Sequence, residues 1–434
     1  MNNAKSYTVA ELVKNNIIEK PYDGNHGAIH PKGKDFINSG IPFIMASDVE
    51  NAKIDLKNCK FISKKQADTL RKGFAIEGDV LLTHKASIGR TAVVPPIDYP
   101  YIMLTPQVTY YRIKNKKVLN NYYLKYYFDS KPFQEVLGAM AGAGSTRAYL
   151  GIIGQQDLPV VIPDISIQQK IATVLSALDA KIELNQRINA ELESMAKTLY
   201  DYWFVQFDFP NEKGKPYKSA GGKMVWNDVL KREIPLGWEV ESIEKCCEII
   251  DCLHSKKPDY EFEDERYYLL QLENIRDDGL LDLTNKYFVP KNVYKTWISR
   301  IEVTEDDILI TNAGRVAATA QVPTGIKSGI GRNITAIRPK SVSPTYLFLA
   351  FRGIDIRRQI KGNTDSGAFF SSFNVKGIKK LLILRPQGEI EKQFEKTVKA
   401  IRRKRELNNI ESQTLTEVRD WLLPMLMNGQ VKVG

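Results

Sequence analysis

At 434 residues and 43% apolar side chains, the chain is long enough for two or three domains with real cores. It has no run of about 18 apolar residues, and MNNAKSYTVAELVKNN lacks the apolar stretch of a signal peptide, so neither a membrane span nor a leader is expected. The net charge of +11 is uneven: +7 over residues 1–163, −2 over 164–204, +4 over 205–386 and +2 over 387–434. A basic excess on two separate globular stretches points to a polyanion, most simply nucleic acid. Four cysteines, Cys59, Cys246, Cys247 and Cys252, suit reduced thiols in a cytoplasm.

Residues 1–163 read as a mixed α/β unit. YTVAELVKN predicts a short helix after Thr8. A loop rich in Gly, His and Lys follows, Asp23 to Lys34. IPFIMASDV predicts a strand and FAIEGDVLLTHKASIGRTAVVP a hairpin. MLTPQVTYYRI predicts one further strand, and NNYYLKYYFDSKPFQEVLGAM one aromatic helix. The small-residue loop Ala141 to Arg147 and the strand LPVVIP close the unit at Pro163.

Ser166 to Phe204 reads as one long helix within a segment bounded at 164–204. Ile171, Leu175, Leu178, Ile182, then Leu192 and Leu199, form a narrow stripe of coiled-coil type. Asn185 and Asn189 interrupt that stripe, and polar seam residues fix register at a cost in stability. Ser166 is the expected cap, with Gln169 three residues on. The helix would span roughly 58 Å at ~1.5 Å per residue. Residues 205–236, polar and rich in Gly and Lys, read as an exposed linker.

Residues 237–386 then repeat the first unit. EDDILITNAGRVAATAQVP aligns without a gap on EGDVLLTHKASIGRTAVVP, pairing Asp79 with Asp307 and Thr83 with Thr311. WEVESIEKC matches YTVAELVKN, and LLILRP matches LPVVIP. A second long helix, Gln387 to Asn428 within segment 387–434, repeats the first at a shift of 223 residues. That shift pairs Ile171 with Phe394, Leu175 with Val398, Leu178 with Ile401, Asn185 with Asn408 and Leu192 with Leu415. The order is unit, long helix, unit, long helix.

Catalytic motifs are missing. AGAGSTRA lacks the GK[ST] ending of a phosphate-cradling loop. Val94-Pro95-Pro96-Ile97 is not the Asn/Asp-Pro-Pro-aromatic motif of amino-methyltransferases. Pro258 to Glu263 has carboxylates in a nuclease-like cluster without the Lys that should follow. Cys246, Cys247, Cys252 and His254 do not have zinc spacing. Basic side chains in loops remain as DNA-contact candidates: His26, His30, Lys32, Lys34, Lys85, Arg90 and Arg147 in the first unit, and Lys256, Lys257, Arg315, Lys327, Arg332 and Lys361 in the second. Singly each is ordinary surface charge; as a set on two repeated units they point to DNA.

The stretch IPDISIQQKIATVLSALDAKIELNQRINAELESMAKTLYDYWFVQFD resembles the specificity (S) subunits of type I restriction–modification enzymes. IPLGWEV, the tandem GDVLLT and DDILIT, and DWLLPMLMNGQ carry the same likeness, which covers essentially the whole chain. It implies an α+β fold with two target recognition domains, each reading one half of a split, asymmetric DNA sequence. It implies that the two long helices pack antiparallel as a coiled-coil spacer and dock two methyltransferase (M) subunits, with restriction–translocase (R) subunits joining that core. It implies no catalysis and no cofactor in this chain, with S-adenosylmethionine, ATP and Mg in the partner subunits. The alternatives are the specificity subunit of a related methyltransferase or nuclease system, or an enzyme with unrecognised motifs.

Overall fold

The computed structural model describes residues 4–142, 148–253, 256–363, 365–366, 371–431 and 433. It divides into two compact units, one of residues 1–181 with 415–434, the other of residues 182–414. The boundary cuts both long helices, so each unit holds one mixed α/β body and one end of each helix.

In the first unit a four-stranded sheet runs Thr91–Val93, Val80–Thr83, Val108–Tyr111, Tyr22–Asp23. Val80 to Thr83 is wholly buried, a short apolar run covered on both faces. A five-stranded sheet runs Phe36–Ile37, Lys60–Ile62, Ile41–Ile44, Ile102–Leu104, Phe74–Ala75. Thr8 caps the helix Val9–Lys14 in a full capping box with Glu11.

The second unit repeats this arrangement. Thr319–Gln321, Ile308–Thr311, Ile334–Pro339 and Cys247–Asp251 form a sheet in the same strand order. Beside it Tyr287–Phe288, Tyr268–Leu270 and Gly329–Ile330 make a smaller sheet. Internal bonds repeat as well. Arg112 clamps Asp79 through Nε and Nη2 at 2.9 and 2.8 Å, and Arg338 clamps Asp307 in the same way at 2.8 and 2.6 Å. Such bidentate pairs fix geometry as well as charge. The Tyr123 hydroxyl donates to the Val161 carbonyl and the Tyr346 hydroxyl to that of Leu384, at 2.8 and 2.6 Å.

The first long helix is Ile165–Tyr200, ending in a π-helical turn Asp201–Val205; the second is Ile390–Met427. Ser166 is already inside the helix, because the Asp164 carbonyl accepts from Ile167 and Gln168. Gln168 ties the first helix to the body by accepting from the Asn120 N–H at 2.9 Å; at the second helix Glu391 accepts from the Ser343 N–H at 2.5 Å.

Within each unit the helix ends are antiparallel. In the first, Arg419 pairs with Asp179 at 2.9 Å, and Ile171 and Leu175 share a core with Leu426 and Met427. In the second, Asn185 meets Glu411, Asn189 meets Asn408, and Glu193 meets Arg405. Phe394 and Val398 pack with Ala196, Trp203 and Phe204 in that unit's core. The stripe is therefore divided. Ile171, Leu175, Phe394 and Val398 join the cores of the bodies together with residues of the opposite helix, whereas Asn185, Asn189 and Asn408 are buried where the helices meet in the second unit. Ile182 is buried; Leu178, Leu192, Ile401 and Leu415 are half-buried.

Several elements differ from the sequence reading. MLTPQVTYYRI is two strands in two sheets, split at Thr105-Pro106-Gln107. Pro106 has no N–H to continue a ladder. IPFIMASDV is a strand only through Ile44, and then turns in a 3₁₀ helix, Ala46–Asp48. The aromatic helix is two, Asn121–Asp129 and Lys131–Met140. The Pro132 ring would clash with the Phe128 carbonyl in a continuous helix; here that carbonyl accepts from the Gln134 amide instead, at 2.6 Å. Residues 205–236 are not simply an exposed loop. Met224–Asn227 pairs with Arg232–Pro235, and Phe207 and Phe209 are buried around Trp238. Among the described residues no helix is long and apolar enough to cross a membrane.

Candidate nucleic-acid interface

In the first unit the loops that end strands of both sheets enclose a cleft of about 320 Å³. It gathers three of the expected residues, His26, His30 and Lys85, with Phe43, Met45 and Gln107. Asp23, at the end of its strand and buried, organises the rim. His26 Nε2 meets its carboxylate at 2.8 Å, and Lys72 binds the other oxygen. Burial alone would raise the Asp23 pKa, but hydrogen bonds from Lys72 and His26 outweigh it and hold the carboxyl below its usual range. His30 Nδ1 lies 3.0 Å from the Asn25 carbonyl, with its ring 5.6 Å from that of Phe43. The Lys85 ammonium is 5.5 Å above the Tyr149 ring.

Behind the cleft His84 is fully buried, and neither ring nitrogen has a partner among the described residues. Burial pushes its pKa down to about 4, so the imidazole is neutral near pH 7. Lys32 and Lys34 are exposed outside the cleft. Arg90 donates to the Val49 carbonyl at 3.2 Å. Arg147 lies outside the described residues.

In the second unit Lys256, Lys257, Lys327, Arg332 and Lys361 are exposed. The Lys257 ammonium lies 4.0 Å over the Tyr287 ring. Arg315 is engaged: it pairs with Asp277 at 2.6 Å and donates to the Leu272 and Ile275 carbonyls. The cavity beside it, about 600 Å³, is also lined by Arg276, Glu273, Asp277 and Asp278; Arg276 pairs with Asp278 and Arg315 with Asp277, so neither arginine offers a free charge to a polyanion there. Val49 and Ile275 each follow the matching 3₁₀ turn of their unit. Arg90 and Arg315 thus donate to corresponding backbone carbonyls of their two units, from different positions on the hairpin.

Gln107, Met45 and Phe43 were not among the residues expected from sequence. A signal for Gln107 was present: TPQ and GRN follow corresponding strands, with the carboxamides Gln107 and Asn333 at matching places. All four cysteines are free and buried. Among the described residues no group of three or more His, Cys, Asp or Glu is placed to hold a metal, and His254 lies outside them.

The family described as Type I restriction modification DNA specificity domain matches residues 17–194. The chain is 25% identical over 409 residues to the type I restriction enzyme MjaIX specificity subunit of Methanocaldococcus jannaschii, covering 93% of this chain and 89% of that one. It is 25% identical over 321 residues to the HindI specificity subunit of Haemophilus influenzae, covering 63% of this chain and 69% of that one. The crystal structure of the type I restriction–modification S subunit from M. genitalium superposes with a TM-score of 0.57 at 14% identity, over 98% of this chain and 96% of that one, which shows the shared fold. Residues 17–194 therefore match that specificity domain, and the chain as a whole is similar to the specificity subunits of type I restriction enzymes.

Proposed function

We propose that the chain is the non-catalytic DNA-recognition subunit of a type I restriction–modification complex. One observation carries the reading furthest: two units share the same Asp–Arg clamp, the same strand order and the same helix anchor, yet carry different exposed side chains at their strand ends. A common scaffold with divergent rims suits the reading of two different half-sites of double-stranded DNA. The recognition units correspond to residues 1–163 and 237–386, and the helices set the gap between half-sites. The helices dock two methyltransferase subunits, which R subunits join in the cytoplasm. Methyl transfer and its S-adenosylmethionine, and ATP with Mg, belong to those partners. The His and Lys side chains of the first cleft and the exposed Lys and Arg of the second unit supply the positive surface for phosphates.

The test is to produce the chain with its methyltransferase partner in cells and map methylated sites by sequencing. A two-part asymmetric target is the expected result. Methyl transfer or tight S-adenosylmethionine binding by the isolated chain would overturn the non-catalytic assignment.

A further inference from the structure

In each unit a three-residue loop carries the chain from one sheet to the other. Thr105-Pro106-Gln107 joins Ile102–Leu104 to Val108–Tyr111, and Gly331-Arg332-Asn333 joins Gly329–Ile330 to Ile334–Pro339. Equivalent bonds hold the two loops. The Thr105 N–H donates to the Ile44 carbonyl at 3.0 Å, and the Gly331 N–H to that of Leu270 at 2.7 Å. Further along, the Gln107 carbonyl accepts from the His84 N–H at 2.9 Å, and the Asn333 carbonyl from the Asn312 N–H at 2.8 Å. Positions 105, 106 and 107 therefore correspond to 331, 332 and 333 by backbone bonding, independently of any sequence alignment.

The backbone is fixed at both ends while the side chains stay available. Those of Gln107, Arg332 and Asn333 make no hydrogen bond or ion pair with a described residue. Gln107 is half-buried in the rim of the first cleft; Arg332 and Asn333 are exposed. Arg332 differs in this from Arg315, whose guanidinium is committed to a carboxylate and two carbonyls. Asn333 adopts φ +63°, a left-handed conformation that Asn accepts more readily than most residues. Buried polar atoms without described partners recur beside both loops: the His84 ring nitrogens and Thr105 Oγ1 in the first unit, and Asn312 Oδ1 in the second. Native interiors leave few such atoms unpaired unless a ligand or water completes them.

A rigid backbone presenting an uncommitted carboxamide suits the edge of a base. A carboxamide donates and accepts side by side, which matches adenine N7 and N6–H; a guanidinium matches guanine O6 and N7. We propose that this loop is the base-reading element of each unit. Gln107 reads an adenine in one half-site and Asn333 an adenine in the other. Arg332 reads a guanine next to the second adenine, where Pro106 in the first unit has no polar group to offer. The assignment rests on the DNA-recognition reading and names the residues that set its specificity.

The experiment uses the full chain produced with its methyltransferase partner, with methylated sites mapped for wild type and for Gln107→Ala, Arg332→Ala and Asn333→Ala. Gln107→Ala is expected to relax one adenine of one half-site, lowering discrimination there about ten- to a hundredfold. Arg332→Ala should relax one guanine, and Asn333→Ala one adenine, both in the opposite half-site. Gln107→Glu is made alongside. If the alanine variant fails to assemble with the partner, the glutamate variant must disfavour that same adenine. A wild-type target with no two-part sequence would overturn the recognition reading itself. A two-part target that all four variants leave unchanged would overturn only this loop assignment.

Discussion

The Asn408 side-chain amide donates to the side-chain Oδ1 of Asn189 at 3.0 Å, and both side chains are buried where the long helices meet in the second unit. Asn189 also donates to the Arg405 carbonyl at 3.1 Å. A single Asn189→Leu change leaves the Asn408 amide buried without its acceptor. It is expected to lower stability by about 1–3 kcal/mol. Changing Asn189 and Asn408 together to Leu removes both polar groups, and most of that loss should return while register specificity weakens. Urea unfolding of the two variants checks this; a double variant no more stable than the single one would contradict it.

The spacer role predicts a change in length. Four residues inserted after Lys181 and four after Thr414 add about one turn to each helix, ~6 Å at ~1.5 Å per residue, and nearly keep the helical phase. Two base pairs span ~6.8 Å. The gap between half-sites should lengthen by about one to two base pairs, with both half-sites unchanged. Methylation mapping reads the gap directly, and an unchanged gap would count against the spacer.

His84 predicts a pH dependence confined to mildly acid conditions. Its pKa is about 4 in the folded chain and near 6.5 when unfolded. Between these values the unfolded state binds more protons, so stability is complete above about pH 6.5 and falls as the pH drops towards 4. The full effect is roughly 3 kcal/mol. His84→Asn, which copies the second unit's Asn312, should abolish that part of the acid sensitivity. Unfolding measured at several pH values on both proteins makes the comparison; parallel curves would refute it.

Arg315 predicts a separation of half-sites. Arg315→Ala breaks the ties to Asp277, Leu272 and Ile275 and is expected to loosen the turn that follows strand Tyr268–Leu270. Any change of specificity must stay in the half-site read by residues 237–386. Methylome sequencing that showed both half-sites blurred equally would defeat the idea of two independent readers.

The repeat, the two long helices and the likeness to specificity subunits were legible without coordinates, because each rests on local pattern. Apolar spacing, turn residues and a gapless match between GDVLLT and DDILIT survive any packing detail. Seam positions were legible as a set, but their partners were not. Ile171 and Phe394 share a periodic stripe, yet each burial partner lies in a different unit, and only the tertiary contacts choose between body and helix. The candidate DNA-contact residues were least legible. Charge is visible in a sequence, but whether a guanidinium is spent on backbone carbonyls, as in Arg315, or left open, as in Arg332, depends on chain segments some 40 residues apart or more being brought together. Thr105-Pro106-Gln107 shows the same limit. Read along the chain it lies inside one apolar strand; the two sheets make it a loop, because its neighbours pair with different strands on either side.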